Sequence, residues 1–312
     1  MNGRPASPRT AGHGETDALQ RFVFERARVR GELVRLDETW REVRRLRDYP
    51  EAVLAALGEL TAASVLMAAT VKFEGGALVL QIQGGHPVSL LVVECQADLS
   101  LRAMARWDGG LPELSPQPTL HDLAAGGRCA LTIDPGPGLT AYQSVVPLEG
   151  RTTAQVLERY MARSEQIGTL FRLAATGRRA AGLLLQRLPD AGGRPAPDAD
   201  PDLWNRVGHL AATLTRQELL ELPGREILRR LFHDEELRLF ESVPVRFACR
   251  CSRERVAGVL RMVGAAEVQH ALAEKGELTV TCEFCGQDFA FTRDQAERAL
   301  ADVSGRTPER AG

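Results

Sequence analysis

The chain has 312 residues, of which 44% are hydrophobic and 26% are charged, and its formal net charge is −2. This composition is typical of a folded globular protein, and the length predicts about two domains. The near-neutral charge gives no electrostatic reason to expect nucleic acid or an anionic membrane as a partner.

The first 17 residues, MNGRPASPRTAGHGETD, are polar and rich in glycine and proline. They lack the apolar run of a signal peptide, so we expect a disordered tail over residues 1–17. No stretch of the chain has 18 consecutive apolar residues, and we therefore expect no membrane span. A cytoplasmic location follows as the default, and cysteines in that reducing compartment are thiols or metal ligands rather than structural disulfides.

The region after the tail begins with strand and helix patterns in turn. Strand-like alternation covers residues 19–38, and a helical pattern over residues 38–48 ends before Pro50. Residues 51–71 are apolar on nearly all sides and predict a long buried helix. Gly58 inside this helix costs about 1 kcal/mol relative to alanine, which is unfavourable for the helix.

A series of strand patterns follows, separated by glycine, proline and aspartate. The first is predicted as a hairpin with its turn at Gly75 and Gly76. Cys95 and Cys129 lie singly in the apolar strands and are expected to be core thiols. We predict an α+β core domain over residues 18–189 with a mixed sheet. Its further strands are predicted at 87–96, 99–107, 129–134, 141–148, 170–176 and 180–188, and its further helix at 152–166.

Residues 190–244 are predicted as a proline- and glycine-rich linker followed by a helical middle region. Three short amphipathic helices are predicted there, over residues 203–214, 216–222 and 224–232. Helices of this length are barely stable alone in water. They must therefore dock on the rest of the protein, and they could undock at little cost.

The strongest signal lies in residues 245–295, which contain four of the six cysteines. Cys249 and Cys251 form a C-x-C pair, and Cys282 and Cys285 form a C-x-x-C pair. Two tight pairs separated by a few tens of residues are typical of a tetrahedral zinc site with four cysteine ligands. We predict a small αβ unit that one structural zinc ion holds together.

Local signals around the cysteines support a folded unit. Ser252 is a predicted helix N-cap, Gly276 is a predicted stop of a second helix, and Gly286 suits the tight turn of a zinc knuckle. Because four sulfurs complete the coordination, we expect His270 on a helix surface. Residues 296–312 are predicted as a C-terminal tail.

The residues alone leave three functions open. The first is a binding module with a structural zinc ribbon, for nucleic acid or protein, although residues 246–295 carry seven basic and seven acidic side chains and are formally neutral. The second is a thiol oxidoreductase, although no thioredoxin-like βαβ pattern surrounds the C-x-x-C pair. The third is a redox sensor, because zinc keeps sulfurs as thiolates, which oxidants attack. A catalytic zinc would need an open coordination position and is not expected.

Oxidation of such a site would convert ligands into disulfides and expel the metal. Bridges within each pair close short loops, which give little entropic stabilisation, so the unit would unfold. A bridge across the pairs, such as Cys251 to Cys282, would close a long loop and could keep the fold.

Motifs along most of the chain resemble the redox-regulated 33 kDa heat-shock chaperonin family of bacteria. Besides CRCSRER and CEFC at the cysteines, they are RGELVRL at 30–36, LGELTAASVLMAATVKFEG at 57–75, YQSVVPLEG at 142–150, YMARSEQ at 160–166, AAGLLLQRLP at 180–189 and LFHDEE at 231–236. Ala141 and Ser144 depart from the expected pattern, and neither is one of the cysteines.

The resemblance implies a chaperone that holds unfolding proteins without ATP, and it implies no enzyme activity. The family's zinc ligands fall on Cys249, Cys251, Cys282 and Cys285, and the reduced, zinc-bound form is inactive. Oxidation then forms the Cys249–Cys251 and Cys282–Cys285 disulfides, zinc leaves, and the C-terminal unit and middle region unfold. The oxidised protein binds unfolded clients as a homodimer, with the apolar surface around residues 203–240 as our candidate region, and protects against oxidative and heat stress.

Overall fold

The computed structural model describes residues 16–71, 75–109, 111, 118–136, 138–189 and 200–301. Several predicted features lie outside the described residues. They are the N-terminal tail up to residue 15, the hairpin arm at 72–74, the linker at 190–199 and the C-terminal tail from residue 302.

Helices and largely antiparallel sheets are mixed in the described chain, which confirms the predicted α+β class. The chain divides into two units, Met1–Ala248 and Cys249–Gly312. The first unit contains two six-stranded sheets, and the second contains a two-stranded sheet with three helices. The finer division of the first unit at residues 189 and 244 stays a prediction.

The described elements are numbered here in chain order. The strands are β1 (Ala18–Phe24), β2 (Val29–Leu36), β3 (Ala77–Gln83), β4 (Val88–Gln96), β5 (Ser100–Trp107), β6 (Arg128–Asp134), β7 (Tyr142–Pro147), β8 (Thr169–Ala175), β9 (Ala180–Arg187), β10 (Leu237–Leu239), β11 (Val243–Pro244), β12 (Arg246–Phe247), β13 (Glu277–Thr281) and β14 (Asp288–Thr292). The helices are α1 (Glu38–Arg44), α2 (Glu51–Thr70), α3 (Leu120–Leu123), α4 (Thr153–Tyr160), α5 (Leu203–Ala212), α6 (Arg216–Glu221), α7 (Gly224–Phe232), α8 (Arg253–Val263), α9 (Ala265–Lys275) and α10 (Arg293–Ala301). A π-helical turn over Met161–Glu165 continues α4.

The two large sheets have different strand orders. The first sheet runs β10-β1-β2-β9-β8 and is antiparallel, with β11 also paired to β1. The second sheet runs β12-β5-β4-β3-β6-β7, and only its β12–β5 pair is parallel. The strands β10 and β11 fall in the predicted helical middle region, where the sequence did not predict strands.

Helix α2 lies between the two sheets and forms the centre of the main hydrophobic core. It is apolar around its circumference, as expected for a helix that is buried on all sides. Two of its buried polar residues are satisfied within the helix, because the hydroxyls of Thr61 and Ser64 donate to the carbonyl oxygens of Leu57 and Leu60 at 2.7 and 2.8 Å. By length and composition α2 could cross a membrane, but 78% of its most apolar window is buried inside the fold, as in a core helix.

The glycine inside α2 has a packing reason. A Cβ atom at Gly58 would lie 2.4 Å from the Cβ of Ala175 and 3.0 Å from the ring of Trp40. Distances this short exclude a side chain, so Gly58 lets β8 and α1 approach the helix closely. Glycine destabilises a helix relative to alanine, and the close packing that it allows here offsets this cost.

The opposite face of the first sheet is covered by the middle layer, which is the three helices α5, α6 and α7. These short helices were predicted to dock, and each buries apolar side chains in a second core cluster. The sheet contributes Phe22, Phe24, Val29, Leu33, Ala174, Ala181, Leu183 and Leu185, and the middle layer contributes Leu203, Val207, Ala211, Leu214, Leu219, Leu220, Ile227, Leu228, Leu231 and Phe232.

The second unit has a core of only seven buried residues among those that the structure describes: Val256, Leu260, Val268, Leu272, Phe289, Phe291 and Ala296. Ser252 caps α8 as predicted, because its hydroxyl accepts the Arg255 N–H. The last helix, α10, extends past the predicted end of the unit at residue 295, since Ala296 and Ala299 are buried.

Candidate metal centre

The four paired cysteines lie on two segments of the second unit. Cys249 and Cys251 follow β12 and directly precede α8, whose first turn is fixed by the Ser252 cap. Cys282 and Cys285 lie in the turn that joins the antiparallel strands β13 and β14. The C-x-C pair therefore lies just before a helix, and the C-x-x-C pair lies in the turn of a hairpin.

Two backbone hydrogen bonds shape the hairpin tip. The Gly286 N–H donates to the Cys282 carbonyl at 2.8 Å, and the Cys282 N–H donates to the Gln287 carbonyl at 2.9 Å. Gly286 has φ = +70°, in the left-handed region that favours glycine, which confirms the turn predicted at this position. The turn places Cys282 and Cys285 close enough for both sulfurs to bind one metal ion.

The structure brings all four sulfurs together, with every Sγ within 4.8 Å of the others. The Cys249 and Cys282 sulfurs are 3.7 Å apart, and the Cys251 and Cys285 sulfurs are 3.3 Å apart. All four side chains are half-buried. A cluster of this size and chemistry could hold a metal ion.

The electrostatics of the cluster also favour a cation. Burial, followed by the neighbouring thiols, raises the pKa of the Cys251 thiol, and burial is the main cause that raises the pKa of Cys285. Four thiolates cannot share this space without a compensating positive charge. A bound metal ion reverses this effect, because a coordinating thiol is deprotonated.

One neighbour of the cluster was missed in the sequence. The Gln287 side-chain oxygen lies 3.6 Å from the Cys251 sulfur, and the Gln287 backbone accepts the Cys282 N–H. Gln287 thus contacts both segments of the site. Its position directly after the knuckle glycine was the available signal.

The remaining candidate residues lie where the sequence predicted. His270 is exposed on α9 and its Nε2 is 3.5 Å from the Glu274 carboxylate. Cys95 and Cys129 are fully buried in β4 and β6. Burial raises the pKa of the Cys129 thiol to about 12 and that of Cys95 still further, so both are inert core thiols.

Comparison with known proteins identifies the family. Residues 17–292 match the family described as Hsp33 protein. A 33 kDa chaperonin of Methylobacillus flagellatus is 46% identical over 284 residues, which cover 91% of this chain and 94% of that protein. A 33 kDa chaperonin of Chromobacterium violaceum is 46% identical over 283 residues, covering 90% and 93%.

A solved structure shares the fold. The crystal structure of the 33 kDa chaperonin (heat shock protein 33 homolog) of Thermotoga maritima covers 93% of this chain and all of that chain, with a TM-score of 0.71 and 19% identity. The matches define a family of chaperones rather than a known class of enzyme. The chain belongs to the Hsp33 family, which confirms the resemblance seen in its motifs.

Proposed function

We propose that this protein is an ATP-independent, redox-regulated chaperone that holds unfolding proteins after its cysteine site is oxidised. The observation that carries the proposal is the cluster of four sulfurs within 4.8 Å, in a unit whose own apolar core is small. Membership of a chaperone family supports the activity, and the cysteine cluster supports its control by oxidants. Oxidative and heat stress would be the conditions of use.

Zinc is the metal that we assign to the site, with Cys249, Cys251, Cys282 and Cys285 as its ligands. Zinc takes thiolate ligands at about 2.3 Å in tetrahedral geometry, which corresponds to sulfur separations of about 3.8 Å. The sulfur separations of 3.3 and 3.7 Å and the upper limit of 4.8 Å bracket this value. When bound, zinc would hold the four sulfurs as thiolates and link the C-x-C pair before α8 to the C-x-x-C pair between β13 and β14.

The proposed oxidation joins Cys249 to Cys251 and Cys282 to Cys285. In each step two thiolates give two electrons to a peroxide, the O–O bond breaks, and two protons complete two water molecules. The sulfur positions alone leave the pairing open, because Cys249 lies 3.7 Å from Cys282 and Cys251 lies 3.3 Å from Cys285, while the two thiols of each pair also interact with each other. Family membership supports pairing within each motif. The one or two residues between the cysteines of a motif also keep their sulfurs close together after the unit has begun to unfold.

Loss of the ligands would unfold the second unit. Structural zinc contributes about 10–16 kcal/mol to the folding of small zinc-binding peptides. A core cluster of seven buried residues in the described part of the unit cannot replace that contribution. The short-loop disulfides constrain the unfolded chain only weakly.

The unfolding would pass along the chain into the middle region. Only Ala248 separates the end of β12 from Cys249, so disorder at the cysteine starts beside a two-residue strand. The strands β10 and β11 are also short, with three and two residues. We propose the core domain at 18–189, the middle region at 190–244 and the redox switch at 245–295 as the functional segments.

Besides its apolar face, the middle layer is held by hydrogen bonds of arginine side chains, including Arg179 to the Leu220 carbonyl and Arg216 to the Ala175 carbonyl. The Arg172 guanidinium donates to the Ala211 carbonyl oxygen at 3.0 Å, and the Arg35 guanidinium donates to the Leu222 carbonyl oxygen at the same distance. Arg216 at the start of α6 lies 3.2 Å from the Glu59 carboxylate of α2. Release of these short helices would uncover the apolar face of the first sheet, which we propose as the surface for unfolded clients.

The proposed working form is a cytoplasmic homodimer when oxidised, with unfolded proteins as partners and no nucleic acid. Zinc content, free thiols and suppression of a client's aggregation should be measured before and after peroxide treatment with mild warming. We expect the loss of one zinc ion and four thiols per chain, together with the appearance of chaperone activity. A protein that kept its zinc and stayed inert would disprove the proposal.

The chain carries its own control for this experiment. Cys95 and Cys129 are fully buried, and burial raises the pKa of both thiols. Peptide mapping after alkylation should find these two cysteines still reduced when the other four are oxidised. Loss of all six thiols would indicate general unfolding rather than a switch.

A further inference from the structure

The first unit contains a cavity of about 320 Å³ between the first sheet and helices α6 and α7. This volume falls within the range of about 300–1,000 Å³ that is usual for small-molecule sites. Its apolar wall comes from Leu33 on β2, from Leu219 and Leu222 in and after α6, and from Ile227 on α7. Leu33, Leu219 and Ile227 are almost fully buried, so the wall is fixed by the core around it.

The remaining lining is polar and carries positive charge. Arg35 and Arg225 line the cavity, and no carboxylate does so among the described residues that form it. At another point of the rim the Ser242 hydroxyl donates to the Gln20 side-chain oxygen at 3.0 Å. The cavity therefore combines an apolar wall with a cationic rim.

The two arginines differ in how their charge is compensated. Arg225 lies in the first turn of α7, is exposed, and forms no ion pair with any other residue that the structure describes. Arg35 donates to the Leu222 carbonyl, and its Nε is 4.0 Å from the Asp37 carboxylate. Arg179 binds the same carboxylate with its Nη2 at 2.6 Å, so two cations share one anion. The exposed Arg225 therefore places a positive charge at the rim of the cavity.

We propose that this cavity binds an amphipathic carboxylate with an alkyl chain of medium length. The chain would pack on the wall formed by Leu33, Leu219 and Ile227, and the headgroup would pair with Arg225 at the rim. The planar guanidinium fork matches a carboxylate in two parallel hydrogen bonds. The limited volume excludes long acyl chains.

Such a ligand would contact β2, α6 and α7 at once. It would therefore bind only the docked arrangement of the middle layer and stabilise it by mass action. Slower activation by oxidants would follow, and that consequence alone rests on the proposed function. Binding itself does not depend on the redox chemistry.

The test is a calorimetric titration of the reduced, metal-loaded full chain with decanoate, below its critical micelle concentration. We expect one site, with decyltrimethylammonium, which has the same chain and a cationic head, binding at least about tenfold more weakly. Equal affinity for the two amphiphiles, or no binding of decanoate, would overturn the proposal.

Two variants with the same charge change on one helix sharpen the test. Arg225→Gln should weaken decanoate binding about tenfold, because a charge-assisted hydrogen bond is lost. Arg229→Gln, on the same helix and equally exposed but not lining the cavity, should leave the affinity unchanged. Equal affinities of the two variants would refute the assigned headgroup site.

A third readout addresses the apolar wall. Ala18→Leu adds a side chain inside the cavity at the start of β1 and should abolish binding. In the unaltered protein, decanoate should slow amide hydrogen exchange in α6 and α7. Exchange rates that decanoate does not change, despite measured binding, would place the ligand elsewhere and reject this cavity.

Discussion

The two units differ in what holds them together. In the first unit, α2 is buried between two sheets, and its apolar surface packs mainly against β-strands. In the second unit, seven residues form the described core, and four sulfurs from two segments meet in one cluster. The first unit is held by packing that an oxidant does not remove, while the proposed metal ligands of the second unit are thiols that an oxidant could convert into disulfides. Stability that depends on a chemical bond can be switched, and stability from a large core cannot.

Loss of the metal should produce the largest difference in stability between the two units. Cys285→Ser in the reduced protein removes one ligand, and we expect the second unit to lose most of the about 10–16 kcal/mol that structural zinc provides. Hydrogen exchange should show α9 and β13 unprotected, with α2 unchanged. The unaltered protein treated with chelator should behave in the same way and recover when zinc is returned. Protection of β13 without metal would contradict the comparison.

A buried carboxyl in the first unit offers the next largest effect. Glu32 is 2% exposed, its Oε2 has no hydrogen-bond partner among the described residues, and burial raises its pKa from 4.5 to about 7. The folded protein therefore holds a proton that the unfolded chain releases, so the free energy of unfolding falls as the pH rises from about 4.5 to about 7.

Glu32→Gln should remove this pH dependence and raise the free energy of unfolding at pH 8 by up to about 3 kcal/mol. Urea unfolding of the first unit at pH 5 and pH 8 measures the slope. The control is Glu38→Gln, whose side chain is exposed and whose replacement should change stability by less than about 0.5 kcal/mol. An unchanged slope in Glu32→Gln would assign the pH dependence to other groups.

Glycine-to-alanine exchanges should have opposite signs in the two units. Gly58→Ala in α2 places a methyl group 2.4 Å from the Cβ of Ala175, and we expect a loss of about 1–3 kcal/mol despite the better helix propensity. Gly258→Ala in α8 meets only the Arg261 guanidinium at 3.6 Å, and should gain up to about 1 kcal/mol. Chemical denaturation followed separately for each unit measures both. A gain in both units would mean that packing around α2 is looser than described.

The smallest expected effect concerns the helix cap beside the proposed metal ligands. Ser252→Ala removes the acceptor of the Arg255 N–H and should cost about 1 kcal/mol. Because folding and metal binding are coupled in the second unit, zinc affinity should fall about fivefold in a competition with a chromophoric chelator. Ser252→Thr keeps a capping hydroxyl and should stay close to the unaltered protein. An unchanged affinity in Ser252→Ala would show that the ligand segment is ordered without its helix.

Strong local patterns made part of this structure predictable. The apolar run over residues 51–71 predicted α2, and the cysteine spacing singled out the four sulfurs that the structure brings together. The capping hydroxyl of Ser252 and the turn at Gly286 were equally local signals. Each of these features depends on residues within a few positions of one another.

Features that depend on distant partners were not predictable. The strands β10 and β11 have three and two residues, and their pairing is decided by β1 at the other end of the first unit. The reason for Gly58 is Ala175, more than a hundred residues away in sequence. The cavity beside Arg225 exists only because α6, α7 and β2 meet. A short segment of sequence cannot predict these contacts, because the residues that make them are far apart in the chain.

The pairing of β1 also has a consequence for biosynthesis. One edge of β1 is covered by β2 within a few residues, but the other edge waits for β10, and the Gln20 side chain meets the Phe240 carbonyl across 220 residues. Bacterial ribosomes add about 5–20 residues per second, so this edge stays open for about 10 to 40 seconds on each nascent chain. A newly made molecule thus spends that interval with an unpaired strand edge, the kind of surface that promotes aggregation. We therefore expect the nascent chain to pass through a partly folded state in which this strand edge is exposed.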